Sequence, residues 1–183
     1  MTRYVALLRG INVGGQKLIK MEHLVRVFIA AGFRNARSYI ASGNVIFDSR
    51  SADTESMVRR IERALKKEFG HEITVIVRQV SDLEQLLKLD PFAGAEAGPD
   101  LMLFVVFMRD FGKRKPPLPL VSKTDRLELF AIKRGAAFIR AYRKPTGWFG
   151  FPNNFVEKEL KSVATTRNWS TVKKIVLFAK TKM

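Results

Sequence analysis

Residues 53–70 read DTESMVRRIERALKKEFG, and the fold can be built outward from them. Val58, Ile61, Ala64, Leu65 and Phe69 recur at helical spacing on one face, with Arg59, Arg63, Lys66 and Lys67 mostly off it. Gly70 is a natural terminator, so Asp53 to Phe69 is expected as an amphipathic helix. Downstream, Ile73 to Gln79 is strand-like. Upstream, Arg37 to Ala41 and Asn44 to Asp48 flank Ser42-Gly43, a strand–turn–strand signal. Further back, Met21 to Ala31 places Met21, Leu24, Val25 and Phe28 at helical spacing and stops at Gly32, while Arg3 to Arg9 reads as a strand. The resulting order, β-α-β-β-α-β over residues 1–80, is that of a ferredoxin-like or split βαβ unit. Tyr4 to Leu8 is apolar on both faces, which predicts a strand buried on both sides.

Residues 81–183 read as a second, rearranged unit of the same kind with C-terminal helices. Ser81 to Leu89 looks like a short helix capped by Ser81 with Glu84 three residues on. Pro91 to Pro99, with Gly94 and Gly98, reads as a junction. Leu101 to Arg109 is a strand apolar on both faces, and Asp110 to Thr124, with Pro116, Pro117 and Pro119, is a long surface loop. Arg126 to Lys133 and Ala136 to Arg143 form a hairpin about Arg134-Gly135, and helices are expected near Asn153 to Lys161 and Trp169 to Lys180. No residue-level repeat links the two halves.

The chain has 183 residues, 46% of them hydrophobic, enough to bury a core, and no cysteine. Disulfides, thiol nucleophiles and thiolate metal sites are thereby excluded. With only His23 and His71, a His-rich metal site is excluded as well, and the zincin-like start at His71-Glu72 fails at Val75. Ser42-Gly43 lacks the upstream glycine of a nucleophile elbow, Ile40 standing in its place. No metal or cofactor is implied. Five apolar residues after Arg3 are too few for a signal sequence, and the run Leu101 to Met108 is too short to span a membrane, so the expected location is the cytoplasm. Oligomeric state is not encoded in any pattern here.

Two kinds of anion chemistry remain. The loop Gly10-Ile11-Asn12-Val13-Gly14-Gly15-Gln16-Lys17 leaves a strand and runs toward a helix, so its backbone N–H groups can face an anion. It is neither a P-loop, since Gln16 holds the lysine position, nor a dinucleotide fingerprint. A turn that needs glycine for its positive φ explains the same residues. In Thr165-Thr166-Arg167-Asn168-Trp169-Ser170-Thr171, Asn168 can cap the last helix, or Arg167 and the hydroxyls can hold a phosphate or carboxylate there. Arg9, Asn12, Lys17, Asn44, Arg167 and Asn168 are the resulting candidates for a composite pocket binding a small anionic ligand.

The net charge is +16, split as +5 over residues 1–90 and +11 over 91–183. Lys113, Arg114, Lys115, Arg140, Arg143 and Lys144 alternate with Trp148, which suits nucleic acid or another polyanion as well as it suits a solvated basic face. An RNA recognition motif does not fit, because Ser42 to Phe47 supplies one aromatic and no Phe-x-Phe.

Four segments in order, Leu7 to Gly15, Lys20-Met21, Ser42 to Phe47 and Ala164 to Val172, resemble the signatures of the bacterial family catalogued as domain of unknown function 1697. The resemblance spans nearly the whole chain. It implies an α+β fold of two ferredoxin-like halves packed together, and no reaction, cofactor or catalytic residue. After Gly150 this chain has Phe151-Pro152-Asn153-Asn154-Phe155 where many relatives carry Ser-Lys-Leu. The readings that follow are three: a cytosolic basic protein binding a phosphate-bearing partner, nucleic acid first; an enzyme on a small phosphorylated or carboxylated substrate; or a structural or protein-interaction domain.

Overall fold

The computed structural model describes residues 1–12, 18–110 and 116–181 and shows a mixed α/β protein with two antiparallel sheets and five helices. The chain divides into two compact units, Met1–Leu83 with Ile175–Met183, and Glu84–Lys174.

In unit 1 the elements are β1 (Thr2–Leu8), α1 (Met21–Ala30), β2 (Arg34–Tyr39), β3 (Asn44–Ser49), α2 (Thr54–Phe69) and β4 (Val75–Gln79), with sheet order β2-β3-β1-β4. Each neighbouring pair is antiparallel. The helix boundaries follow from their caps: Asp53 accepts from Ser56 N at 3.0 Å to start α2, and Gly70, at φ +75°, ends it. Leu24 and Phe28 of α1 and Met57, Ile61 and Leu65 of α2 bury against Tyr4, Ala6, Leu8, Val45 and Phe47 on one face of the sheet. On the other face Ile46 packs with Val80 and Ala179, and the Phe178 ring meets the Tyr39 ring at a 40° tilt with centroids 5.1 Å apart. The end of the C-terminal helix thus covers part of the second apolar face that β3 presents.

Arg3 ties the same region together. Its guanidinium makes two bonds to Asp48, Nε to Oδ1 at 2.9 Å and Nη2 to Oδ2 at 3.2 Å, and donates to the Ala179 carbonyl. Asn35, at φ +54° in the bulge of β2, donates to Asp48 Oδ2 at 2.7 Å. The Arg3 bonds lead in holding the Asp48 carboxyl below the ordinary carboxylate range, Asn35 adding to them, although burial acts the other way.

Unit 2 contains β5 (Leu101–Met108), β6 (Leu120–Ser122), β7 (Leu127–Lys133), β8 (Ala136–Tyr142), α4 (Pro152–Leu160) and β9 (Ala164–Asn168). Two helices, α3 (Val80–Leu89) and α5 (Trp169–Lys180), carry the chain from one unit to the other. The sheet order is β6-β7-β8-β5-β9, again antiparallel throughout. Val156 and Leu160 of α4 bury against Phe104, Val106, Leu129 and Ile139. Elsewhere in the unit Phe92 sits among Phe130, Phe138 and Trp169, at centroid distances of 5.4, 5.7 and 5.5 Å.

Three expectations are corrected. α3 begins at Val80, directly after β4, so Ser81 lies inside its first turn and does not cap it. The expected loop from Asp110 to Thr124 contains the short strand β6. Ala164 to Asn168 forms β9, a strand that was not expected, because β5 needs a partner on its second edge to pair its buried backbone groups; Asn168 ends it and stands directly before α5, which starts at Trp169 as expected.

The units share one hydrogen-bond plan. At the end of the first strand Leu8 N donates to Gly43 O in unit 1, and Met108 N to Gly135 O in unit 2, each glycine sitting in the following hairpin turn. One residue on, Arg9 N donates to Thr74 O and Arg109 N to Val163 O. The glutamates Glu62 of α2 and Glu157 of α4 each accept, at 2.9 Å, from the first N–H of the last strand, Val75 and Ala164. A repeat too sparse to read along the sequence is present in the hydrogen bonds, through backbone groups and the two glutamates.

Candidate functional site

Asn12 follows β1 at φ +56°, a conformation asparagine tolerates better than most residues. Its Nδ2 donates to Ile19 O at 3.1 Å and to Ala41 O at 2.9 Å, and its Oδ1 accepts from Ile19 N at 2.7 Å. Both amide protons are therefore used by backbone, and the side chain fastens residue 12 to residue 19 and to the β2–β3 turn. Asn44 is fully buried and donates to Tyr39 O at 3.0 Å and Ser42 Oγ at 3.1 Å, holding the same turn from inside. Gly43, at φ +81°, lies so close to Ile11 that a Cβ would stand 2.8 Å from its Cγ1. Asn12 and Asn44 thus fasten the same turn in unit 1, while Arg9, directly after β1, donates its backbone N–H to Thr74 O. Lys17 lies outside the described residues.

Arg167 and Asn168 belong to unit 2. Arg167 is buried, and its Nη1 donates to Thr165 Oγ1 at 2.9 Å and Thr166 O at 2.8 Å. Burial pushes its guanidinium down to about 10, which leaves it charged at neutral pH.

Of the basic candidates on unit 2, Lys113, Arg114 and Lys115 lie outside the described residues. Arg140 lies over the Phe130 ring at 4.2 Å and 3.6 Å from Glu128 Oε2. Lys144 pairs with Asp125 at 3.0 Å, the bond that leads in lowering the Asp125 carboxyl, and Arg143 Nε donates to Gly147 O at 3.2 Å. Trp148 differs from these: 76% exposed, it closes a turn in which Gly147 N donates to Lys144 O and Lys144 N donates to Trp148 O. The turn is pinned at Asp125, whose carbonyl would lie 2.3 Å from a Cβ on Gly150. Beside Asp125 opens a groove of about 260 Å³ lined by Lys123, Arg126, Glu128 and Tyr142. Tyr142 donates to Glu128 at 3.0 Å, and burial ahead of that bond raises its phenol above the usual range. Phe151, 64% exposed, follows as the N-cap residue of α4. Lys123, Arg126 and Tyr142 carried no signal in the sequence: Lys123 and Arg126 share the turn that joins β6 to β7, and the β7–β8 pairing, with Tyr142 N donating to Arg126 O, brings Tyr142 beside them.

The charge asymmetry also changes once the units are known. Unit 1 holds 16 basic and 8 acidic residues and unit 2 holds 17 and 9, so each carries +8. Among the described residues no helix is long and apolar enough to cross a membrane, and no group of three or more His, Asp and Glu is placed to hold a metal ion.

A mixed α/β protein with two antiparallel sheets and a basic, partly aromatic surface is the class these observations define. The chain belongs to the family described as protein of unknown function (DUF1697), whose model matches residues 1–138. It is similar in fold to a conserved bacterial protein from Streptococcus pneumoniae, with a TM-score of 0.67 at 20% identity over 98% of this chain and 99% of that one. No curated protein matches the sequence.

Proposed function

We propose that this is a basic binding protein that takes up a single-stranded, phosphate-bearing polymer, nucleic acid, on the Tyr142–Phe151 side of unit 2, and that both units are ferredoxin-like. The second reading is supported by the strand orders β2-β3-β1-β4 and β7-β8-β5-β9, which coincide, and by the shared hydrogen-bond plan. Unit 2 departs by adding β6 at one edge.

The observation that carries the binding reading is Trp148. An indole 76% exposed costs apolar exposure to water, and the turn that carries it is already held by backbone bonds. Base stacking on such a ring contributes about 1–3 kcal/mol per base. Arg126 and Lys123 in the adjoining groove supply phosphate contacts, while Arg140 and Lys144, engaged with Glu128 and Asp125, hold the platform.

The test is a titration with oligothymidine of about ten nucleotides, within the site sizes of such surfaces. Trp148 emission should be quenched, and Trp148→Ala should weaken binding by about tenfold, or roughly 1.4 kcal/mol. Arg126→Gln should flatten the salt dependence by about 0.7 in log K per log salt, the contribution of one phosphate on a single strand. Equal affinity of Trp148→Ala and wild type refutes the proposal.

A further inference from the structure

We infer that unit 1 holds a separate site for a small phosphomonoester with an apolar or aromatic body, in the groove between the start of α1 and the end of α2. The groove encloses about 560 Å³, within the range of small-molecule sites. Lys20, the N-cap of α1, and His23 and Arg26 on α1, spaced three residues apart, line one side, and His71 enters from the turn after α2. The chain has two histidines, 48 positions apart in sequence, and both line this one concavity.

Both imidazoles are oriented. Glu68 Oε1 accepts from His23 Nε2, and the His23 ring meets the Phe69 ring edge-on at 5.1 Å. The Phe69 carbonyl accepts from His71 Nδ1 at 2.9 Å. Because a carboxylate and a carbonyl only accept, the proton of each ring is fixed on the bonded nitrogen, and His23 Nδ1 and His71 Nε2 are the nitrogens left for a ligand. Glu68 bonds His23, Glu72 beside His71 is paired with Lys66 at 2.9 Å, and Glu22 in the first turn of α1 is the further carboxylate set against the charges of Lys20 and Arg26. The N-cap of α1 is Lys20, whose side chain makes no capping bond, so the dipole of α1 adds positive potential at this end and Glu22 in the first turn offsets part of it.

The apolar residues decide the ligand class. Leu18 is 67% exposed at the rim, and Phe69 forms a wall. Inorganic phosphate would leave both uncovered, whereas a monoester places its dianion at Lys20 and Arg26 and its body against Leu18 and Phe69.

The two histidines are their own reporter. With histidine-labelled protein, phenyl phosphate should move both sets of ring resonances saturably, at least about tenfold more tightly than inorganic phosphate or benzoate. Arg26→Gln or Lys20→Gln should weaken phenyl phosphate by about tenfold each, and Arg50→Gln, an exposed charge outside the groove, by less than about twofold. Linear shifts, or equal weakening by Arg26→Gln and Arg50→Gln, would mean that net charge alone attracts the anion and would overturn the site. Benzoate binding as tightly as phenyl phosphate would overturn the phosphomonoester assignment. Oligonucleotide binding by unit 2 is read on Trp148, so either result stands without the other.

Discussion

Replacing Asn12 by alanine tests whether the motif around Gly10 is knotted by its side chain. Three hydrogen bonds are lost, to Ile19 O, Ile19 N and Ala41 O. At about 0.5–1.5 kcal/mol each they amount to roughly 1.5–4.5 kcal/mol, and half-exposure of the site favours the lower part of that range. Alanine at φ +56° adds about 1 kcal/mol of backbone strain. The expected loss is about 2–4 kcal/mol, which for a chain of this size lowers Tm by roughly 2–4 °C per kcal/mol. Asn12→Gly separates the two contributions, because it loses the same bonds without the strain, and should recover about 1 kcal/mol of the loss. Asn12→Asp keeps the acceptor for Ile19 N but turns a carboxylate oxygen toward two carbonyls, so it should be no better than alanine. Urea unfolding followed by circular dichroism measures all three. If Asn12→Ala stays within about 0.5 kcal/mol of wild type, as a plain surface substitution would, the clasp has no energetic weight and the reasoning fails.

Gly43→Ala should cost about 2–4 kcal/mol in the same assay, since a Cβ there meets Ile11 at 2.8 Å and sits at φ +81°. Glu62→Ala and Glu157→Ala should each cost about 1–2 kcal/mol, and by similar amounts if the units share one plan; a large difference would separate them. Asp48 is held ionised in the fold, so its contribution is complete above the unfolded carboxylate value of about 3.9 and is lost as pH falls through its lower folded value. Asp48→Asn should therefore be less stable than wild type at pH 7, with the gap narrowing as the solution is made acid; a gap that does not narrow with falling pH counts against the ion pair. Phe92→Ala should cost about 3–5 kcal/mol and shift the emission of the buried Trp169 to longer wavelength.

The amino-acid sequence by itself determined most of the local structure: the β-α-β-β-α-β order through residue 80, the Arg134-Gly135 hairpin, and α5 starting at Trp169. Side-chain periodicity and glycine stops act over a few residues, so they are legible in one dimension. β9 was not legible, because Ala164 to Asn168 is a strand only in the presence of β5, whose edge supplies its partners. The repeat was hidden for a related reason: Leu8 and Met108, or Thr74 and Val163, play matching parts through backbone N–H and carbonyl groups, which any residue but proline can offer. Tertiary structure alone decided which charges share a body. Placing Ile175–Met183 with unit 1 and residues 84–90 with unit 2 replaces the +5 and +11 of the linear halves by +8 in each unit. It also decided what the candidate residues do, fastening Asn12 and Asn44 to main chain while bringing His23 and His71 to one groove. A side chain's chemistry is written in the sequence, but its partners are set by segments that meet only when the sheets and helices have packed.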